Sequence, residues 1–268
     1  MFDYNKRTYI MGILNVTPDS FSDGGKFNSV DEALKHALEM VEEGADIIDL
    51  GGESTRPGHI YVDVDYVDVD EELKRVIPVV KKLKGELDTP ISVDTYKAKV
   101  ADESLKLGAE MINDIWGLRK DKDMANVIAK HNAYVCIMHN QDGTEYDKDI
   151  IESIKEFLLE SVDIAIEAGI DKNKIVLDPG IGFGKTYEQN LEVLKRLGEL
   201  KTLGYPILLG TSRKSVIGNT LNLPPQERVE GTIATTVLGI RDGVDIVRVH
   251  DVEKNLRAAK MADAIYRV

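Results

Sequence analysis

The chain has 268 residues, is 43% hydrophobic and 30% charged, and carries a formal net charge of −13 at neutral pH. That length and apolar content can bury one large core or two smaller ones, and no shift in composition marks a linker. The acidic balance opposes polyanionic partners, so nucleic acid is not expected, and any anion must be held by a local cluster of cations. The single cysteine, Cys136, excludes an internal disulfide and suits a reducing compartment. It lies in the apolar run YVCIM and reads as buried packing. The first residues, MFDYNKRTYI, lack a signal-like apolar segment, and nowhere do ~18 apolar residues run together. The expectation is a cytoplasmic protein with no membrane partner.

One phrase repeats along the chain: a helical pattern, a glycine, then a short apolar run ending in a polar residue. It is read in EEGADIIDLG, KLGAEMIND, EAGIDKNKIVLD, TLGYPILLG and RDGVDIVRVH. The glycine suits the left-handed position just past a helix, and the β-branched run after it suits a strand buried on both faces. In chain order the predicted strands are Tyr9 to Leu14, Asp46 to Leu50, Ile91 to Val93, Met111 to Asn113, Tyr134 to Met138, Ile175 to Leu177, Ile207 to Leu209 and Ile246 to Val249. Amphipathic segments separate them, among them Val229, Ile233, Val237 and Ile240 at helical spacing after Pro224 and Pro225. The acidic stretch YVDVDYVDVDEELKRV reads as a solvated loop entering a helix.

Eight alternating units in about 250 residues match a single-domain (β/α)8 barrel, the TIM barrel. The rival is an open doubly wound sheet, which needs a glycine-rich first turn; NVTPDSFSDGG supplies its glycines late and in the wrong pattern.

In a barrel the loops after the strands converge on one face. The residues ending the predicted strands are Asn15, Glu53 with Thr55 and Arg56, Asp94, Asn113, His139 with Asn140, Asp178, Lys214 with Ser215, and Arg248 with His250. Any one of them could be a turn or cap residue; eight polar strand ends together point to a site. Asp94, Asn113, Asp178 and Lys214 offer two acidic acceptors, an amide and a cationic donor, which a small heterocycle with amino, ring N–H and carbonyl groups requires. An amino-pyrimidinone edge, as in a pterin or a purine, suits a carboxylate that takes two parallel N–H bonds. Arg248 and His250, with Asn15, could hold a phosphorylated tail. Arg248 could instead pair with Asp23 or Asp251.

DPGIGFGKT, residues 178 to 186, resembles a phosphate-cradling loop. A P-loop needs four residues between its first glycine and Gly-Lys-Ser/Thr, and here that first position is Pro179, which has no N–H to give. The stretch is therefore not expected to wrap a phosphate. HExxH, CxxC and GxSxG are all absent.

MGILNVTPDSFSDGG, DLGGESTRPG, SVDTYKAKVA, INDIWG, DPGIGFGKT, GTSRKS and RVHDV, in that order over nearly the whole chain, resemble the dihydropteroate synthase family. The extended YVDVDYVDV after the second motif departs from the pattern in a loop. The resemblance implies a (β/α)8 barrel, a homodimer, and an enzyme of folate synthesis. Its reaction joins p-aminobenzoate to 6-hydroxymethyl-7,8-dihydropterin diphosphate and releases pyrophosphate, with Mg2+ as cofactor. By motif, it implies that Asp94, Asn113, Asp178, Lys214, Arg248, Ile115 and Met138 hold the pterin. Asn15, Arg248 and His250 would hold the diphosphate, with Asn15 also a ligand of Mg2+. Thr55, Arg56, Pro57, Phe183 and Ser215 would shape the p-aminobenzoate site, and Asp94, Lys214, Arg248, His250 and Asp23 would act in catalysis. DPGIGFGKT becomes a ring-binding loop, and NVTPDSFSDGG a segment that closes over the reacting centre. The rival readings are a pterin-holding barrel without catalysis, a methyltetrahydrofolate-dependent methyltransferase domain, and an interaction protein. None of the three needs both a diphosphate cluster and an arylamine loop.

Overall fold

The computed structural model describes residues 3, 4, 6–16, 26–53 and 67–267. Strand and helix alternate through the chain. The order is β1 (Tyr9–Asn15), α1 (Lys26–Glu42), β2 (Ile47–Gly51), α2 (Val69–Glu86), β3 (Ile91–Asp94), α3 (Ala98–Lys106), β4 (Met111–Asp114), α4 (Met124–Lys130) and β5 (Tyr134–Met138). It continues with α5 (Ile150–Glu167), β6 (Ile175–Asp178), α6 (Tyr187–Lys195), β7 (Leu208–Leu209), α7 (Ser215–Leu221), α8 (Val229–Arg241), β8 (Ile246–Val249) and α9 (Val252–Tyr266). All eight predicted strands are present, and five of them run one residue further, so that Asn15, Gly51, Asp94, Asp114 and Asp178 end their strands.

The strands are parallel in the order β6-β5-β4-β3-β2-β1-β8-β7, and a parallel bridge from Leu177 to Ile207 joins the two ends. The sheet is therefore a closed barrel with the helices outside, as the repeating phrase predicts.

Closure forces every second strand residue inward. Tyr9, Met11, Ile47, Met111, Cys136, Val176, Leu208 and Ile246 form a buried plug inside the barrel. Two residues further along, on the same inward side, come Asp49 after Ile47, Asn113 after Met111, Asp178 after Val176 and Arg248 after Ile246. A polar layer thus rests on an apolar one. The outward residues, among them Ile10, Ile48, Leu50, Ile91, Ile112, Val135, Leu177 and Val247, form the larger core under the helices. Cys136 is a buried free thiol of the plug, as expected from its apolar run.

Two local expectations shift. Helix α8 turns Thr232, Thr236, Gly239 and Ile240 fully inward, while Val229, Ile233 and Val237 are half-buried. The cause is close approach: a methyl group at Gly239 would lie 2.7 Å from the Leu209 side chain, so small residues face the barrel. On α2, Asp68 caps the helix by accepting from the Glu71 N–H, as a loop entering a helix requires. Glu72, expected in solvent, is buried instead, where it meets Lys97.

The loop after β6 is set by glycine. Gly180 has φ of +68°, and a methyl group there would lie 1.9 Å from the His139 carbonyl oxygen. Gly143 has φ of +75° with nothing within 4 Å. Gly143→Ala is expected to cost about 1–2 kcal/mol for left-handed backbone alone. Gly180→Ala adds a clash with backbone and should cost clearly more. Urea midpoints of the two variants measure the difference, and equal losses would contradict the packing of this loop on β5.

Candidate functional site

The polar layer is bound together by ion pairs. Arg248 donates from Nε to Asp49 Oδ2 at 2.6 Å and from Nη2 to Asp94 Oδ2 at 2.9 Å. Asn113 Nδ2 donates to the same Asp49 Oδ2 at 3.2 Å. Four strands, β2, β3, β4 and β8, are tied across the mouth through two carboxylates, one amide and one guanidinium. Arg248 bridges neither to Asp251, which pairs with Arg213, nor to any other acid among the described residues. The alternative pairing with Asp251 is thereby corrected: the strand aims Arg248 inward, where the buried carboxylates are.

Asp178, Lys214 and Arg248 converge at the end of β7. A methyl group at Gly210 would lie 3.8 Å from Lys214 Nζ, 3.9 Å from Arg248 Cβ and 3.9 Å from Asp178 Oδ2. Asp178 Oδ1 accepts from the N–H of Gly180 at 2.7 Å, so the other oxygen is the one turned to this point. Lys214 Nζ donates to the Ile181 carbonyl at 2.5 Å and stands 4.8 Å from the centre of the Phe183 ring. Ile115, Met138 and Phe183 form a separate buried apolar cluster with Tyr96 and Trp116 packed against it. His250 ends the arc: its N–H donates to Ser212 Oγ at 3.1 Å, and Ser212 Oγ lies 2.9 Å from its Nδ1. Asn15 stands half-buried at the end of β1, paired in register with Gly51 of β2. Ser215 is the exposed first residue of α7.

Burial dominates the electrostatics of these groups. It raises the Asp94 carboxyl above the ordinary range, against the pull of Arg248, and raises Asp178 against the pull of Lys214 and the Gly180 N–H. It pushes the Lys214 ammonium down to about 8, with Asp178 opposing that fall. Arg248 keeps its charge, because Asp49 and Asp94 outweigh the cost of its burial. Three acceptor atoms in this layer, Asp49 Oδ1, Asp94 Oδ1 and Asn113 Oδ1, are buried with no hydrogen-bond partner among the described residues. Buried acceptors of that kind need donors from beyond those residues, and the N–H groups of a ligand can supply them.

The fold thus gathers Asp94, Asn113, Asp178, Lys214, Arg248, Ile115, Met138 and Phe183 at the carboxyl ends of the strands, with Asn15 and His250 ending β1 and following β8. Asp23, Thr55, Arg56 and Pro57 lie outside the described residues. His139 departs from the expected arc. Its ring packs on Phe157 of α5 at 4.9 Å, and its Nδ1 receives Lys185. Glu53 is likewise engaged elsewhere, in an ion pair with Lys97, which also holds Glu72.

Sequence reasoning missed Asp49 and Ser212, the turn of Lys185 into its own loop, and the pairing of Glu53 and Glu72 through Lys97. For Asp49 a signal exists. Ile47 and Asp49 repeat the apolar-x-polar step seen in Met111 and Asn113, Val176 and Asp178, and Ile246 and Arg248, so the last inward residue of a strand matters as much as the residue after its end.

Comparison with known proteins agrees with this geometry. The family described as Pterin binding enzyme matches residues 11–250. The dihydropteroate synthase of Clostridium beijerinckii is 61% identical, over 99% of this chain and 97% of its own. That of Bacillus subtilis is 57% identical, over 98% and 90%. Among solved structures, a Clostridium difficile dihydropteroate synthase crystallised in the presence of pteroic acid is 73% identical, covers both chains completely and has a TM-score of 0.97. A Xanthomonas albilineans dihydropteroate synthase with 4-aminobenzoic acid is 41% identical over 98% of this chain and 95% of its own, with a TM-score of 0.91. A closed parallel barrel whose mouth carries buried acceptors beside Lys214 and Arg248, matched along almost its whole length, belongs to the pterin-binding enzymes and, within them, to the dihydropteroate synthase family.

Proposed function

We propose that the mouth of this barrel binds 6-hydroxymethyl-7,8-dihydropterin diphosphate and p-aminobenzoate and joins them to give 7,8-dihydropteroate and pyrophosphate. The observation that carries the assignment of residues is the set of partnerless buried acceptors, Asp49 Oδ1, Asp94 Oδ1 and Asn113 Oδ1, beside Lys214 and Asp178. A pterin presents an amino group and ring N–H groups to such acceptors and a carbonyl oxygen to a lysine. Asp178 takes the amino-pyrimidinone edge, Asp94 and Asn113 take further ring N–H groups, and Lys214 donates to the ring carbonyl. Ile115 and Met138 pack on the ring, and Arg248 stacks over it from β8.

The diphosphate lies toward Asn15, Arg248 and His250. Ser212 Oγ lies 2.9 Å from His250 Nδ1; in the tautomer in which the hydroxyl donates there, Nε2 carries the ring proton and can donate to a phosphate oxygen. Asn15, at the end of β1, would hold Mg2+ through its one neutral side-chain oxygen, a hard donor of the kind that cation takes. Bound there, Mg2+ would neutralise charge on the leaving group.

The chain's own residues then favour bond breaking before attack. The carbon–oxygen bond to the diphosphate breaks with its electron pair leaving on pyrophosphate, where Arg248 and His250 meet the growing charge. Asp94 and Asp178 stabilise the positive charge left on the ring and its exocyclic methylene. The neutral arylamine nitrogen, lying against Phe183 and Ser215, forms the new bond and gives its proton to solvent; Thr55, Arg56 and Pro57 belong to the same subsite, and Asp23 to the reacting centre. The enzyme works in the cytoplasm, as a homodimer. Leu238 on α8 and Met261, Ile265 and Tyr266 on α9 are exposed and supply an apolar surface for a second copy.

The direct test is to mix the chain with the dihydropterin diphosphate, p-aminobenzoate and Mg2+ and measure dihydropteroate; no product would end the proposal. Lys214 should also set a limb of the pH profile. It is an ammonium below about 8 and neutral above, so kcat/KM for the pterin substrate should fall as pH rises through about 8. Lys214→Arg, which keeps its charge, should lose that limb, and an unmoved limb would refute the assignment. Arg248→Ala should weaken binding of the diphosphate ester more than binding of the free pterin alcohol. Calorimetric losses equal for both ligands would contradict its place at the leaving group.

A further inference from the structure

Lys185, the lysine of the P-loop-like DPGIGFGKT stretch, is left over by the reaction just described. It turns back into its own loop. Its side chain is buried, and its Nζ meets three acceptors: the Gly180 carbonyl at 3.0 Å, the Phe183 carbonyl at 2.9 Å and His139 Nδ1 at 2.9 Å. Three acceptors match the three N–H bonds of an ammonium, and two of them are carbonyls that can only accept. His139 can accept because it stays neutral: burial and the nearby Lys185 hold its ring far below the usual histidine range, at about 2.

Both carbonyls belong to the ring-binding loop. Gly180 is the residue whose N–H donates to Asp178 Oδ1, so a chain of two hydrogen bonds runs from Lys185 Nζ through the backbone of Gly180 to the Asp178 carboxylate. Phe183 is the residue whose ring lies under Lys214 Nζ. One buried ammonium therefore fixes the backbone on both sides of the loop, while its charge acts on Asp178.

We propose that Lys185 is a positioning residue for the pterin ring, clasping the loop after β6 from within and holding Asp178 as the anion that accepts the ring's amino and N–H groups. This rests on the assignment of Asp178 to that edge. The groups facing Asp178 are Lys185 and the Gly180 N–H in its own loop, Lys214 after β7, Arg248 on β8 and the Cys136 thiol on β5. The first four lower the carboxyl and burial raises it. Burial also pushes Lys185 down to about 7, with Asp178 opposing. In the acid range where a carboxylate takes up its proton, Lys185 is therefore charged, and its removal must raise the Asp178 carboxyl. The effect lies below pH 7, where Lys185 is charged, and disappears where Asp178 is ionised regardless.

The experiment is calorimetric binding of the free dihydropterin alcohol from pH 4.5 to 8, with unaltered chain, Lys185→Met and Lys185→Gln. Glutamine keeps two donors for the carbonyls and lacks the charge. Loss of the charge should move the acid limb of binding up by about one pH unit, giving about tenfold weaker binding on that limb, with a smaller loss at pH 8. A limb that does not move, or an equal loss at every pH, overturns the proposal and leaves Lys185 a packing residue. Should both variants fail to fold, the unaltered chain decides. The carboxyl carbon resonance of Asp178, assigned with Asp178→Asn, must show a second inflection as Lys185 titrates near pH 7, and its absence overturns the proposal. Asp178→Asn in the same calorimetry separates the two levels: undiminished binding there sinks the ring assignment itself, whereas lost binding there with an unmoved limb in Lys185→Gln sinks only the role of Lys185.

Discussion

A guanidinium carried inside a closed barrel has to find its counter-charges there. Arg248 finds them on strands far away in the chain: Asp49 lies 199 positions earlier and Asp94 lies 154. Removing one partner of such a buried pair typically costs about 3–5 kcal/mol, because the other charge is stranded. The mouth is therefore correct only when β2, β3 and β8 stand in their proper register. The same pairing that satisfies Arg248 leaves one oxygen each on Asp49 and Asp94 facing no donor among the described residues. Stability and ligand demand come from opposite oxygens of the same two carboxylates.

The position of that cluster follows from the pleat. Inside the barrel the apolar plug from Tyr9 to Ile246 excludes water from below, and the next inward residues along four strands are polar. Charges placed on an apolar floor are poorly solvated, which is why Asp94 and Asp178 rise while Lys214 falls. Groups so displaced carry their charge only through one another and through what they bind. The overall charge of −13 has little bearing at this point, since Arg248 and Lys214 sit within the mouth itself.

Much of this was legible beforehand. The eight strands, the closed barrel and the strand-end residues Asp94, Asn113, Asp178, Lys214 and Arg248 follow from apolar runs that end in polar residues. Three errors share one cause, which is that linear position does not say which way a side chain leaves the backbone. His139 follows β5 as Asp178 ends β6, yet its ring packs on Phe157 outside the barrel. Glu72 sits in an acidic run and is nevertheless buried, because Lys97 reaches it across from the loop before α3. Asp49 lies inside a strand, where a search for residues past the strand's end does not look.

The sequence by itself determined the alternation of strand and helix, the parallel closed sheet and the family, because apolar period, glycine position and long motifs are local properties of the chain. Only the tertiary structure decided which partners the charges take. It paired Arg248 with Asp49 and Asp94 and turned Lys185 onto the carbonyls of Gly180 and Phe183. Those choices depend on distances between residues remote in sequence, and such distances exist only once the barrel has closed.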